Sequence, residues 1–243
     1  MVTVPSGLAV SSAVLVALLA ALDTALGLGV AGWGVGLMCG FVMNAAVARG
    51  GAGALGPADL VTFTRATLAC GVAALVADSF FQQSAVPTLV ALTVVALVLD
   101  AVDGWVARRT RTASMFGARF DGEADAFLIL VLSVYVAHAL GGWVLAIGAA
   151  RYAFAVAGWG LPWLRGQLPP RYWRKVVAAT QGIVLTFAAA SVAPRPLTYA
   201  ALAVALALLT ESFGRDVLWL WRHRFAERAQ LTGASRPLRM QRP

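Results

Sequence analysis

The sequence predicts an all-α, polytopic membrane bundle of eight helices. Three observations lead there. The 243 residues are 60% hydrophobic and only 12% charged, too apolar for a soluble domain of this length. Apolar stretches recur along the whole chain, each close to the roughly 20 residues a helix needs to cross a bilayer. The arginines gather in alternate connections between those stretches, as the positive-inside rule requires of a multi-pass protein.

The elements follow in order. Leu8 to Leu22 and Leu28 to Ala48 open the chain as an N-terminal two-helix hairpin; the first run lacks the basic region of a cleaved signal peptide and is read as retained. The second arm contains GWGVGLMCG, whose glycines offer small surfaces for close helix packing. A glycine-rich break, GGAGALG, then ends at Pro57, which suits the first turn of a new helix. Six further spans run from Leu60 to Ala77, Val86 to Val106, Phe120 to Ala139, Trp143 to Trp159, Val176 to Val192 and Leu197 to Phe213, the last able to continue past Asp216 and Trp221. Cys39 and Cys70 both lie in apolar runs and read as small buried hydrophobes, and no Cys/His spacing suits zinc.

Charge sets the expected orientation. Arg49 and Arg65, then Arg108, Arg109 and Arg111, then Arg165, Arg171, Arg174 and Lys175, and finally the tail from Arg222 fall on one side. Asp23, Asp78 and a single Arg195 fall on the other. Both termini are therefore expected in the cytoplasm, with the protein in the cell membrane. The formal charge of +8 then serves anionic headgroups, as in the tail SRPLRMQRP, and no nucleic-acid partner is expected. The preference for arginine over lysine, with abundant alanine, valine and glycine, is the composition of a GC-rich bacterial genome. The chain divides as a hairpin over 1–50, a membrane domain over 51–221 and a basic tail over 222–243.

Chemistry concentrates in DAVDGWVARRTRTASMFGARFDGEAD, from Asp100 to Asp125, which holds five of the eleven acidic residues. A carboxylate at hydrocarbon depth costs about 3 kcal/mol on insertion scales, so a cluster of them needs a cation or a function. Asp100, Asp103 and Ala107 recur at helical spacing, and so do Gly117, Asp121 and Asp125. Paired as a hairpin around the polar turn 109–116, the two helices would bring four carboxylates together. That donor set suits a hard divalent cation, magnesium or manganese. Gly104 and Ala107 leave room for a bulky anionic substrate, and Arg108 offers a forked donor for phosphate.

The pattern D-x2-D-G-x2-A-R-x8-G-x3-D-x3-D is met without a gap by Asp100, Asp103, Gly104, Ala107, Arg108, Gly117, Asp121 and Asp125. It resembles the signature of the CDP-alcohol phosphotransferases. The resemblance implies six core membrane helices behind the N-terminal hairpin, and a metal site at the cytoplasmic face. It also implies transfer of a phosphatidyl group from CDP-diacylglycerol to an alcohol or alcohol phosphate, with release of CMP. On that reading Asp100, Asp103 and Asp121 hold two Mg2+ or Mn2+ ions and the diphosphate, while Asp125 contacts the second ion or acts as general base. Gly104, Ala107, Arg108, Ser114 and Gly117 would line the CDP-lipid site. Asp59 and Thr62, from PADLVTFTR, resemble the family's entry to its first core helix and join that site; Arg65 in the same run reads equally as a snorkelling side chain. The family's habit of dimerising extends to this chain as an expected homodimer.

The connection PWLRGQLPPRYWRK and the helix start after it form a second basic patch, in which Arg171, Arg174, Lys175 and Gln181 are candidates for the acceptor. Glu123 points off the aspartate stripe and is expected to pair with Arg119 or a neighbouring helix. Glu211, Arg215 and Asp216 are expected to form a buried ion pair of structural type. The run ARFDGEADAF matches none of the family's acceptor-specific patterns, which leaves glycerol phosphate, inositol phosphate, serine and other alcohols open. A transporter, or an inactive relative that binds ions, is the alternative; a transporter would hold carboxylates near the bilayer middle, whereas here they gather at one end of two spans.

Overall fold

The computed structural model describes residues 4–49, 57–83, 85–110, 115–166, 168–169 and 172–233, with side chains described except at 4–5, 57–59, 103–110, 115–116, 118, 172 and 224–233. Among these residues the chain is all-helical: α1 (Val4–Leu26), α2 (Val30–Arg49), α3 (Pro57–Asp78), α4 (Val86–Thr110), α5 (Met115–Leu140), α6 (Leu145–Gly160), α7 (Tyr172–Ala190) and α8 (Arg195–Gly233). Short 3-10 turns precede α6, at Gly142–Val144, and follow it, at Pro162–Arg165. The eight helices form the polytopic bundle that the apolar spans predict.

Five of the eight, α1, α2, α3, α5 and α8, are long and apolar enough to cross a membrane. Two of the others fall short of that standard for local reasons: α6 has 16 residues and carries Arg151, and α7 begins with Arg174 and Lys175. The described part of α4 is apolar over Val86–Val102. At 39 residues α8 runs about 58 Å, well beyond the ~30 Å of a hydrocarbon core, so it continues past the span.

The bundle is organised around α3. Nearly three quarters (72%) of its apolar window is buried, against 22% for α1, because α3 packs against α1, α2, α4 and α5 together. Its residues suit that position: Ala66, Ala69, Cys70, Ala73 and Ala74 are all buried and small enough for neighbouring backbones to come close. The hairpin is fastened to it by a stripe of glycines. Gly32, Gly36 and Gly40 lie four residues apart on α2, and a Cβ at Gly36 would stand 2.8 Å from Leu19 of α1 and 3.2 Å from Ala74 of α3. Gly27, at φ +70°, supplies the left-handed residue that ends α1. Asp78 closes the same end by accepting from the Gly29 backbone N–H at 3.0 Å.

At the opposite end of α3, the ring of Phe63 packs 5.1 Å from that of Phe120 on α5. Val47 and Met43 of α2 and Leu8 of α1 complete this small apolar cluster. It fixes the start of α5, and hence the residues that follow Phe120, against α3.

Candidate metal centre

Three helices converge just beyond that aromatic pair. The second half of α4 carries Asp100, and the first turns of α5 carry Asp121 and Asp125, four residues apart and so on one face. One carboxylate oxygen from each of the three lies within 4.8 Å of the others. Donor oxygens around one octahedral magnesium ion stand roughly 3 to 4 Å apart, so small side-chain adjustments suffice for the three to share an ion. The residues present therefore fit a hard divalent cation, by donor type and by spacing.

Arg65 of α3 lies at the centre of this group. Its Nη1 is 3.0 Å from Asp100 Oδ1 and also reaches Asp121 Oδ1, while Nη2 reaches Asp125 Oδ1. The arginine side chain is only 4% exposed, whereas those of Asp100, Asp121 and Asp125 are 41%, 38% and 31% exposed. The guanidinium forms the floor of a bowl whose rim is carboxylate. Arg65 therefore does not snorkel to the surface: three acidic partners within reach hold it inside the bundle. Lys175, exposed at the start of α7, is near enough for its charge to act on Asp100.

A cavity of ≈ 220 Å³ opens beside Asp125. Its polar lining includes Asp125, Arg151, Arg174, Gln181, Ser212 and Asp216, drawn from α5, α6, α7 and α8. Gln181 is almost wholly buried; its Nε2 donates to the Ala205 carbonyl at 2.9 Å, and its Oε1 has no hydrogen-bond partner among the described residues. Leaving a buried acceptor unmet costs about 1–3 kcal/mol, so this oxygen marks where a donor from a ligand or water belongs. Both arginines are already paired. Arg174 Nη2 donates to Asp216 Oδ1 at 3.0 Å and its Nε lies 2.8 Å from Oδ2 as an ion-pair contact, while Arg151 Nη2 meets Glu123 Oε1 at 2.5 Å.

These pairings meet one expectation for the charged residues around the site and correct another. Glu123 finds its partner on a neighbouring helix, Arg151 of α6, and not in Arg119. The expected network of Glu211, Arg215 and Asp216 splits in two. Glu211 binds Arg215 on the outer surface of α8 and accepts from Trp173 Nε1 at 3.1 Å, while buried Asp216 turns to Arg174 of α7. The reason is helical spacing: Glu211 and Arg215 are four apart and share a face, whereas Asp216 is rotated toward the bundle.

Of the residues expected to bind the CDP-lipid, Thr62 is buried on α3 three residues before Arg65, and Gly117 lies one turn before Asp121. Asp59, Asp103, Gly104, Ala107 and Arg108 belong to α3 and α4 by backbone, but their side chains lie outside the described residues, as do Ser114 and Arg171 altogether. Arg151 is the residue that sequence reasoning missed. The signal was present: it is the one charged residue inside the apolar stretch 143–159, and a charge there requires a partner.

The model of one protein family, CDP-alcohol phosphatidyltransferase, matches residues 56–210, from just before α3 into α8. No curated protein and no solved structure matches the chain.

Proposed function

Because this chain belongs to the CDP-alcohol phosphatidyltransferase family, we propose that it moves a phosphatidyl group from CDP-diacylglycerol to a small alcohol or alcohol phosphate, releasing CMP. The observation that carries the reading is the convergence of Asp100, Asp121 and Asp125 from two helices, with carboxylate oxygens within 4.8 Å of one another, beside a cavity that contains a buried unmet acceptor.

In this reading Asp100, Asp103, Asp121 and Asp125 would hold Mg2+ or Mn2+, two ions in all. A bound divalent ion would neutralise charge on the diphosphate and on the departing nucleotide. Gly104, Ala107, Arg108, Ser114, Gly117, Asp59 and Thr62 receive the CDP-lipid. The cavity beside Asp125 receives the acceptor. Gln181 Oε1 takes a hydrogen bond from one of its hydroxyls, and Arg174, with Arg171 and Lys175 from the same connection, orients its polar groups. Asp125 both lines that cavity and belongs to the acidic cluster, which suits it to act as the general base. The acceptor oxygen attacks the lipid-side phosphorus, its proton passes to the Asp125 carboxylate, and the phosphorus–oxygen bond to CMP breaks.

The reaction is proposed at the cytoplasmic face of the cell membrane, with both termini cytoplasmic, in a homodimer. The hairpin over 1–50 and the basic tail over 222–243 flank the catalytic domain over 51–221. The direct test is release of CMP from CDP-diacylglycerol by the purified protein with an alcohol acceptor and added Mg2+ or Mn2+. A protein that releases no CMP with any acceptor would refute the reading and leave an inactive ion-binding relative or a transporter.

A further inference from the structure

Arg65 does more than balance charge. Its guanidinium touches the same three carboxylates whose oxygens are close enough to share a cation, and it does so from the buried side of the bowl. We infer that Arg65 is an internal counter-cation, which stands in for the ion among Asp100, Asp121 and Asp125 and so sets the affinity of the cluster for divalent metal. The inference rests on the metal reading of this cluster.

The argument is one of charge and linkage. Three carboxylates against one guanidinium leave a formal charge of −2. Without Arg65, three like charges would face one another with, among the described residues, Lys175 left to act on Asp100, and the ion-free state would rise in free energy. An ion relieves that repulsion, so whatever Arg65 contributes to the ion-free state is subtracted from the free energy of ion binding. Arginine suits the role because it stays protonated when buried and its planar fork reaches several carboxylates at once. Loading the site is then a partner exchange, in which the aspartate oxygens pass from guanidinium to metal.

The experiment measures Mn2+ binding to the purified protein in lipid nanodiscs, by loss of the free-ion electron paramagnetic resonance signal, together with thermal unfolding in chelator and in Mn2+. Arg65→Gln is expected to bind Mn2+ roughly tenfold more tightly than the wild type. The same variant should unfold at a lower temperature in chelator, and Mn2+ should raise its midpoint further than it raises that of the wild type. Arg65→Lys, which keeps the charge but not the fork, should fall between the two and guards against a variant that does not fold. Unchanged or weaker Mn2+ binding in both variants, with binding intact in the wild type, would overturn the counter-cation role alone. Absence of Mn2+ binding in the wild type would overturn the metal reading and this inference with it.

Discussion

Two charged clusters reach the same cavity, one through Asp125 and one through Arg174 and Asp216, and they are built to different rules. In the first, Arg65 of α3 faces three carboxylates from α4 and α5; in the second, Arg174 of α7 faces a single carboxylate, Asp216 of α8, through two contacts at 2.8 and 3.0 Å. The second pair is balanced: one guanidinium, one carboxylate, no formal charge left over. The first sets three carboxylates against one guanidinium, and unbalanced charge in a membrane bundle marks a functional site. The balanced pair joins α7 to α8 at the cavity wall, and the unbalanced cluster is the candidate ion site. The Arg151–Glu123 pair, one to one and half exposed, falls with the balanced pair.

That comparison can be broken at either cluster. The largest effect is expected from Asp125→Asn, which should lower the turnover of CDP-diacylglycerol on the order of a thousandfold while donor binding persists. Retained turnover, followed as CMP release, would end the general-base assignment. Next, saturating Mn2+ should stabilise the wild type by about 2.7 kcal/mol at a hundred times its dissociation constant, and Asp121→Asn should remove most of that gain. Thermal unfolding with and without chelator reads it directly. Smaller again, Asp216→Asn should cost about 2 kcal/mol of stability, because it strands Arg174 at a partly exposed joint, yet leave Mn2+ binding within a factor of two. A large loss of Mn2+ affinity in that variant would mean that the two clusters are one. Least of all, Glu123→Gln should change stability by about 0.5 kcal/mol and turnover by less than threefold, as befits an exposed pair.

The position of α3 explains why the two clusters differ in legibility. Its alanines, cysteine and buried threonines let α4 and α5 approach from one side while the glycine stripe of α2 closes the other, so anything charged on α3 must find its partners inside. Thr62 and Arg65 carry no such message locally. In the sequence, PADLVTFTR reads as a helix start with an arginine free to extend toward the headgroups. Only the packing of Phe63 on Phe120, which aligns the start of α5 with α3, brings Asp121 and Asp125 to that arginine.

The sequence by itself determined the number and order of the helices, the all-α membrane class, and the gathering of aspartates on two successive helices, because each of these follows from short-range periodicity and hydropathy. It also carried the family, since eight motif residues at fixed spacing survive any uncertainty about packing. Tertiary structure decided which charges meet. Arg65 with three aspartates, Arg174 with Asp216 and Glu123 with Arg151 join residues 28 to 60 positions apart on different helices. Such pairings depend on how each helix is rotated and how deep it sits, quantities that a one-dimensional pattern does not contain.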